Sequence, residues 1–272
     1  MISLSRVGLA VLAFPLILQA AAAAEPAAEP AEEHPLTIGT GLLESSGTYG
    51  TPTTTRITSV PTTVSYDTED WTFKVTVPYL LVTGGTGVIP GIGKTTNTNP
   101  NGRGKKGAGN SAQGLGDVTG DVSWDAYYDE ESRFGIDLTG RVKFGTAARD
   151  KGLGTGSNDY TGEIGFYKSL GRTHLFADAG YTALGSSQYI HLRSGVGTGT
   201  LGMSFQATER FSAGLTLDAT GAVSATAGAT RSATALATWS TESRWRTQLS
   251  VFKGSGTGGP GQGAGLMIRH SF

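Results

Sequence analysis

Strict alternation of apolar and polar side chains is the feature that most constrains the fold of this chain. In residues 134–144, FGIDLTGRVKF, the even positions are apolar or glycine, and the odd positions are charged, polar or glycine. Successive side chains of a β-strand point to opposite faces, so this segment has one apolar face and one charged face. Its length, at a tilt of about 45°, crosses about 25 Å, the height of the apolar band of a membrane β-barrel.

Two further segments follow the same pattern. Residues 71–81, WTFKVTVPYLL, carry aromatic and aliphatic side chains at every odd position. In residues 117–128 the apolar side chains, Tyr128 among them, are expected to face outward and the aspartates inward. Less regular strands are predicted at residues 36–49, 54–66, 158–168, 173–181, 189–206, 210–220, 229–240, 244–253 and 262–272. The total is about twelve strands; ten or fourteen stay open because residues 189–206 lose the alternation near 197–200.

The connections between these segments alternate in length. Short turns are predicted at residues 68–70, 129–132, 169–172, 207–209 and 241–243. The intervening connections are mostly longer and rich in glycine, and the longest covers residues 83–115. Short turns at one end and long loops at the other are typical of a barrel with an even number of strands and both termini in the periplasm. The sequence therefore predicts an all-β fold, a transmembrane antiparallel up-and-down β-barrel of about 12 strands.

The first 35 residues are predicted to lie outside the barrel. Residues 1–24 carry one basic residue, Arg6, then an apolar run and a group of small residues, which predicts a cleaved signal peptide. A transmembrane helix is the alternative, but the apolar run is shorter than the roughly 20 residues that a span needs. Residues 25–35 are acidic and rich in proline, which predicts a disordered periplasmic tail. Residues 36–272 remain for the barrel.

The last segment, GAGLMIRHSF, also alternates. Leu266, Ile268 and Phe272 fall on one face, while Met267 and Arg269 fall on the other. A final strand that ends in an aromatic residue resembles the C-terminal signature of bacterial outer-membrane β-barrels. The resemblance implies that Phe272 is a signal for the barrel-assembly machinery and that the protein lies in the outer membrane. The alternative is a soluble exported β-sandwich, which also alternates but leaves the aromatic strand ends and the turn lengths unexplained.

Composition excludes several classes of function. The 21 Lys and Arg residues are balanced by 22 Asp and Glu residues, so no nucleic-acid partner is expected. No cysteine occurs, and no cluster of histidine with carboxylates has the spacing of metal ligands, so neither a metal nor a cofactor is predicted. An outer-membrane lipid hydrolase is a further alternative. None of the four histidines has a serine partner in a catalytic motif, so the sequence predicts a protein without enzymatic activity.

Four segments resemble a known family. They are GLGDVTGDVSWDAYY, GIDLTGRVKFGT, KGLGTGSNDYTGEIGFYKSL and LFADAGYTALG, within residues 56–272. The chain is similar here to the outer-membrane transporters named for the MetA pathway of phenol degradation. The resemblance implies a monomeric barrel that moves small, often aromatic or hydrophobic, molecules across the outer membrane, without naming a solute. Residues 221–239 depart from the pattern because their side chains are mostly small, so the resemblance does not predict the width of the pore.

The inward positions of the predicted strands carry the candidate pore-lining residues. These are Lys74, Asp117, Asp121, Asp125, Asp137, Arg141, Lys143, Asp159, Glu163, Asp178, Asp218, Arg244 and Arg246. One hypothesis is a transverse electric field across a narrow lumen, to which Asp121, Asp125, Arg141 and Lys143 contribute most. The alternative is that these side chains form ion pairs across adjacent strands and stabilise the interior.

The sequence therefore predicts a passive outer-membrane channel for small solutes. The alternative is a plugged structural or adhesive barrel. The connection at residues 83–115 is basic, and it is expected either to fold into the lumen or to lie over lipopolysaccharide phosphates, unless it is a solvated loop. Residues 153–159, LGTGSND, are interpreted as an extracellular turn. The expected partners are outer-membrane lipid, lipopolysaccharide, the barrel-assembly machinery and a small-molecule solute.

Overall fold

The computed structural model describes residues 35–95, 98 and 110–272. The predicted signal peptide, and the predicted tail except its last residue, lie outside the described residues. The described part of the chain is built from β-strands and connections. It contains no helix of the length and apolar character needed to cross a membrane.

Fifteen strands follow one another along the described chain. They are β1 (Leu36–Gly47), β2 (Thr55–Asp67), β3 (Trp71–Thr83), β4 (Val88–Ile89), β5 (Gly93–Lys94), β6 (Ser111–Leu115), β7 (Val118–Asp129), β8 (Phe134–Phe144), β9 (Asp159–Leu170), β10 (Thr173–Ala183), β11 (Gly195–Thr208), β12 (Phe211–Thr220), β13 (Thr230–Ser240), β14 (Trp245–Ser255) and β15 (Gln262–Ser271).

The strands close into an antiparallel barrel. Each wall strand pairs with its neighbours in the sequence, and β1 pairs with both β2 and β15. Strands β6 and β7 both pair with β3, so they form one wall strand that is interrupted at residues 116–117. Strands β4 and β5 form a separate small hairpin. The wall therefore has twelve strands, which confirms the predicted fold, and closure removes the exposed edges that an open sheet would leave.

The outer surface of the barrel is apolar. Val75, Leu138 and Leu217 point outward and are 49%, 41% and 53% exposed. Aromatic rings gather near the short turns, where Trp71 stacks on Trp124 with ring centroids 5.8 Å apart. An apolar band bordered by aromatic side chains is the surface that a barrel presents to lipid.

The short and long connections lie at opposite ends of the barrel, as predicted. The turns that follow β2, β7, β9, β11 and β13 have two to four residues, and this end is called the turn end. The other connections are longer and form the loop end. Strand β11 begins only at Gly195 and continues through residues 197–200. The prediction that this strand starts at Tyr189 is wrong, because residues 189–194 belong to a loop.

Tyr128 faces inward, so its predicted outward position is also wrong. The register of β7 against β8 shifts between Asp125 and Tyr127, where the strand contains a β-bulge. A bulge inserts one residue and reverses the faces of the residues that follow it. Tyr127 is therefore 52% exposed on the outer surface, while the Tyr128 ring stacks against Tyr167 at 6.2 Å.

Candidate functional site in the barrel lumen

The predicted pore-lining residues occupy the inner face of the barrel, with one exception. Residues from β3, β7, β8, β9, β10, β12 and β14 point inward, and Asp117 lies at the interruption before β7. Arg244 lies in the exposed turn before β14, with a φ of 62°, outside the strand in which it was predicted. The alternation of each strand therefore brings charges from seven of the twelve wall strands together inside the barrel.

Arg141 and Asp121 form a buried ion pair across adjacent strands. They are directly opposite each other in the register of β7 and β8, and the Arg141 Nε donates to the Asp121 Oδ1. Both side chains are 1% exposed. For these two residues, the structure therefore agrees with the alternative in which inward charges form ion pairs across adjacent strands.

Lys143 joins two carboxylates near the loop end. Its Nζ lies 3.2 Å from Asp117 Oδ2 and 2.8 Å from Asp159 Oδ2, and it donates to Thr155 Oγ1 at 3.1 Å. Each carboxylate also holds a loop. The amide of Ala147 donates to Asp117 Oδ1 at 2.9 Å, and the amide of Gly185 donates to Asp159 Oδ1 at 2.8 Å. Lys143, Asp117 and Asp159, called here the Lys143 clamp, therefore fasten two loops to the wall.

A row of carboxylates crosses the inner face, from near the turn end of β7 and β8 to near the loop end of β12. In the strand register, Asp125 of β7 lies opposite Asp137 of β8, and Asp137 lies opposite Gly165 of β9. Gly165 lies opposite Asp178 of β10, and Asp178 lies opposite Thr200 of β11. Thr200 in turn lies opposite Asp218 of β12. Asp218 accepts hydrogen bonds from three hydroxyl groups, including that of Thr200 at 3.1 Å. Asp137 and Asp178 are 0% and 6% exposed. Their carboxylate oxygens have no hydrogen-bond partner among the described residues. These four aspartates are called the carboxylate row.

One inward arginine was not among the residues predicted from the sequence. Arg269 of β15 lies directly opposite Arg246 of β14, and both side chains face the lumen. The Arg269 side chain extends over Gly39, where a Cβ atom would lie 2.8 Å from its Cγ. The alternation of the last strand had already separated Arg269 from the face of Phe272, so the signal was present in the sequence.

Large side chains lie across glycines of neighbouring strands inside the barrel. The rings of Tyr167, Phe176 and Phe252 cover Gly135, Gly202 and Gly263 so closely that a Cβ atom at each glycine would overlap the ring. The abundance of glycine within strands therefore has a packing cause, because the inner wall must accommodate rings that lie flat against it.

A hairpin from the longest connection covers the loop end of the lumen. Its residues 84–95 contain β4 and β5 and are called the mouth hairpin. Val88 packs in an apolar cluster whose other buried members are Tyr49, Ile57, Leu80, Val82, Ala147 and Leu153. Ile89 and Ile92 pack against Ile190 of another loop. The described part of this connection therefore packs on inward side chains of the wall, in line with the alternative that folds into the lumen.

Polar contacts also hold the mouth hairpin. Lys94 Nζ donates to the carbonyl of Gly50 at 2.9 Å, and Ser224 Oγ donates to the carbonyl of Lys94 at 3.1 Å. Tyr49, which follows β1 in a loop, is buried in the apolar cluster, and this burial raises the pKa of its phenol to about 12. The phenol therefore stays uncharged further into the alkaline range than an exposed tyrosine would.

The terminal residue Phe272 is exposed, and its amide donates to the carbonyl of Leu36 at 2.8 Å. Its ring meets the His270 ring edge to face, with centroids 4.6 Å apart. The last strand is thus joined to the first at the turn end. The role of Phe272 as a signal for the barrel-assembly machinery stays a prediction.

No known family profile and no curated protein matches this sequence. Solved structures share its fold. The COG4313 outer membrane channel from Pseudomonas putida F1 has a TM-score of 0.64 at 14% identity, covering 90% of this chain and 100% of that chain. KdgM porin has a TM-score of 0.52 at 9% identity, with coverages of 87% and 99%. The translocator domain of the autotransporter NalP from Neisseria meningitidis has a TM-score of 0.50 at 10% identity, with coverages of 87% and 88%. The chain therefore has the fold of outer-membrane β-barrel proteins.

Proposed function

We propose that this protein is a passive outer-membrane channel for small solutes, with its turn end in the periplasm and its loop end outside the cell. The observation that carries the proposal is the segregation of side chains across the wall. Apolar side chains cover the outside, whereas charged and hydroxyl groups cover the inside. An apolar outer band requires lipid around it, and a polar inner face is what a barrel channel presents to its solutes.

Two observations support small aromatic or hydrophobic solutes. The resemblance to the MetA-pathway transporters implies such molecules, whereas the fold shared with proteins described as a channel and a porin supports only the passage of solutes. The inner wall also carries the rings of Tyr167, Phe176 and Phe252, of which Tyr167 is half-buried and offers a flat apolar contact beside the charged groups. A channel for this class of solute would function as a monomer, with no cofactor and no enzymatic step.

A plugged structural or adhesive barrel is the second candidate. The mouth hairpin favours it, because Val88, Ile89 and Ile92 are at most 7% exposed and fill the loop end. In a channel the same hairpin would have to move, or leave a path beside it. Conductance decides between the two functions.

Planar-bilayer recording of the refolded chain, residues 25–272, tests the proposed function. We expect discrete conductance steps that a small aromatic solute reduces, because the lumen has polar walls and the half-buried ring of Tyr167 lies on its inner face. The matched comparison is an aliphatic solute of similar size and the same charge. Electrical silence from protein that is shown to be folded and inserted would contradict the channel and support the plugged barrel.

The carboxylate row should make this channel prefer cations to anions. Asp178 is subject to the negative charges of Glu163, Asp137 and Asp218, and no basic side chain is among its main electrostatic partners. Asp178→Asn is therefore expected to lower the ratio of cation to anion permeability, measured as a reversal potential in a salt gradient at alkaline pH, where these crowded carboxylates are ionised. Glu130→Gln removes the same charge from an exposed turn and should change nothing. Equal reversal potentials in all three proteins would exclude the carboxylate row from the permeation path.

A further inference from the structure

We propose that one side of the outer surface binds the phosphate groups of lipopolysaccharide. The site consists of Arg56, Arg231 and Lys253, called here the basic rim. All three side chains point outward at the loop end of the wall and are exposed. The inference rests on the proposed outer-membrane location, in which the loop end lies at the outer leaflet, and it does not depend on conduction.

The register places Arg231 and Lys253 on adjacent strands, and Arg56 three strands from Lys253. Lys253 of β14 lies opposite Gln262 of β15, and Gln262 lies opposite Ser46 of β1. Ser46 lies opposite Arg56 of β2 on its other side. This polar row crosses four neighbouring strands without an apolar side chain. Arg231 of β13 lies opposite Ser255, two positions beyond Lys253 on β14. Diagonal neighbours of this kind are about 7–8 Å apart, so Arg231 and Lys253 can contact a single phosphate group together.

The opposite side of the same end is different. There the outward residues are Phe144, Tyr160 and Tyr181, which are 42%, 57% and 57% exposed. Aromatic rings of this kind form the girdle at which a barrel meets the membrane interface. The basic rim replaces that girdle over β13, β14, β15, β1 and β2. The barrel therefore presents an aromatic side and a cationic side at the same height.

The chemistry of the outer leaflet selects the partner. A cation on the lipid-facing surface is costly at the membrane midplane but costs only about 0–1 kcal/mol near the interface. Lipid A, the anchor of lipopolysaccharide, carries phosphates at that depth. Arginine binds phosphate with parallel hydrogen bonds, and lysine binds it as a compact charge. Glu44 Oε1 lies 3.4 Å from Arg56 Nε, so Arg56 already has an acidic partner. Arg231 and Lys253 are therefore the principal phosphate contacts.

Native mass spectrometry of the refolded chain, residues 25–272, tests the proposal with lipid A and with dephosphorylated lipid A as probes. We expect retention of the phosphorylated lipid alone. The double variant Arg231→Gln, Lys253→Gln should weaken retention by about tenfold or more, the loss expected for a charge-assisted contact. The control, Arg133→Gln with Lys168→Gln, removes two exposed cations at the turn end and should retain lipid A normally.

Two results would overturn the basic rim as a phosphate site. One is equal retention of the two lipids by the unmodified chain, and the other is undiminished retention by the rim variant. Lys253→Arg keeps the charge and should keep the lipid, which separates loss of charge from loss of folding. A protein that conducts but retains neither lipid would keep the proposed channel and lose this site. A protein that retains lipid A but never conducts would keep this site and lose the proposed channel.

Discussion

Replacing Gly93 with alanine is expected to increase single-channel conductance severalfold. Gly93 begins β5 of the mouth hairpin with a φ of 81°, and a Cβ atom there would overlap the carbonyl oxygen of Gly258 in the last loop. Backbone atoms at such a contact cannot rotate away as a side chain would, so the hairpin and the last loop have to move apart at the mouth. Bilayer recordings of the variant, inserted under the same conditions as the unmodified protein, measure the effect.

Gly91→Ala is the matched control for this prediction. Gly91 also has a positive φ, 76°, but apart from its chain neighbours no heavy atom lies within 4 Å of the position that a Cβ atom would occupy. Both variants share the backbone cost of about 1–2 kcal/mol for a left-handed residue, and only Gly93→Ala adds the overlap. An equal increase in both variants would assign the effect to backbone strain. Unchanged conductance in folded Gly93→Ala would show that the mouth hairpin does not limit permeation.

The alternation in the sequence predicted which face the candidate charges occupy, except for Arg244, which lies in a turn, because side-chain direction within a regular strand depends only on position. It could not predict partners, because partners depend on register. The pairing of Arg141 with Asp121, and the two carboxylates held by Lys143, appear only when the strands are aligned. The same limit explains Tyr128, since a single inserted residue in β7 reverses its face and leaves the composition of the strand unchanged.

The mouth hairpin could not be predicted for a different reason. Its two strands have only two residues each, too few for any alternation to be visible. Its stability comes from contacts with residues far away in the sequence, such as Ile190 and Ser224, which other loops bring to the same end of the barrel. Loop conformations that depend on several distant loops at once leave no local pattern in a sequence.

Replacing Lys143 with methionine is expected to destabilise the barrel by about 3–5 kcal/mol, the usual loss when one partner of a buried ion pair is removed. Asp117 and Asp159 would then face each other without their shared cation, with side chains only 8% and 7% exposed. Because these carboxylates also accept the amides of Ala147 and Gly185, both loops should loosen. Urea titration in detergent measures the stability, and hydrogen exchange of the two amides measures the loops.

Arg141→Met separates the loss of stability from the loosening of the two loops. It breaks the other buried pair, with Asp121, and should lower the free energy of unfolding by a similar amount. Asp121 bonds no loop amide in the described part of the chain, so exchange at Ala147 and Gly185 should stay slow under native conditions. Fast exchange in Lys143→Met alone would identify the Lys143 clamp as the fastening of the loops. Equal protection in both variants would mean that the loops are held by their apolar packing, and the clamp would then contribute to stability only.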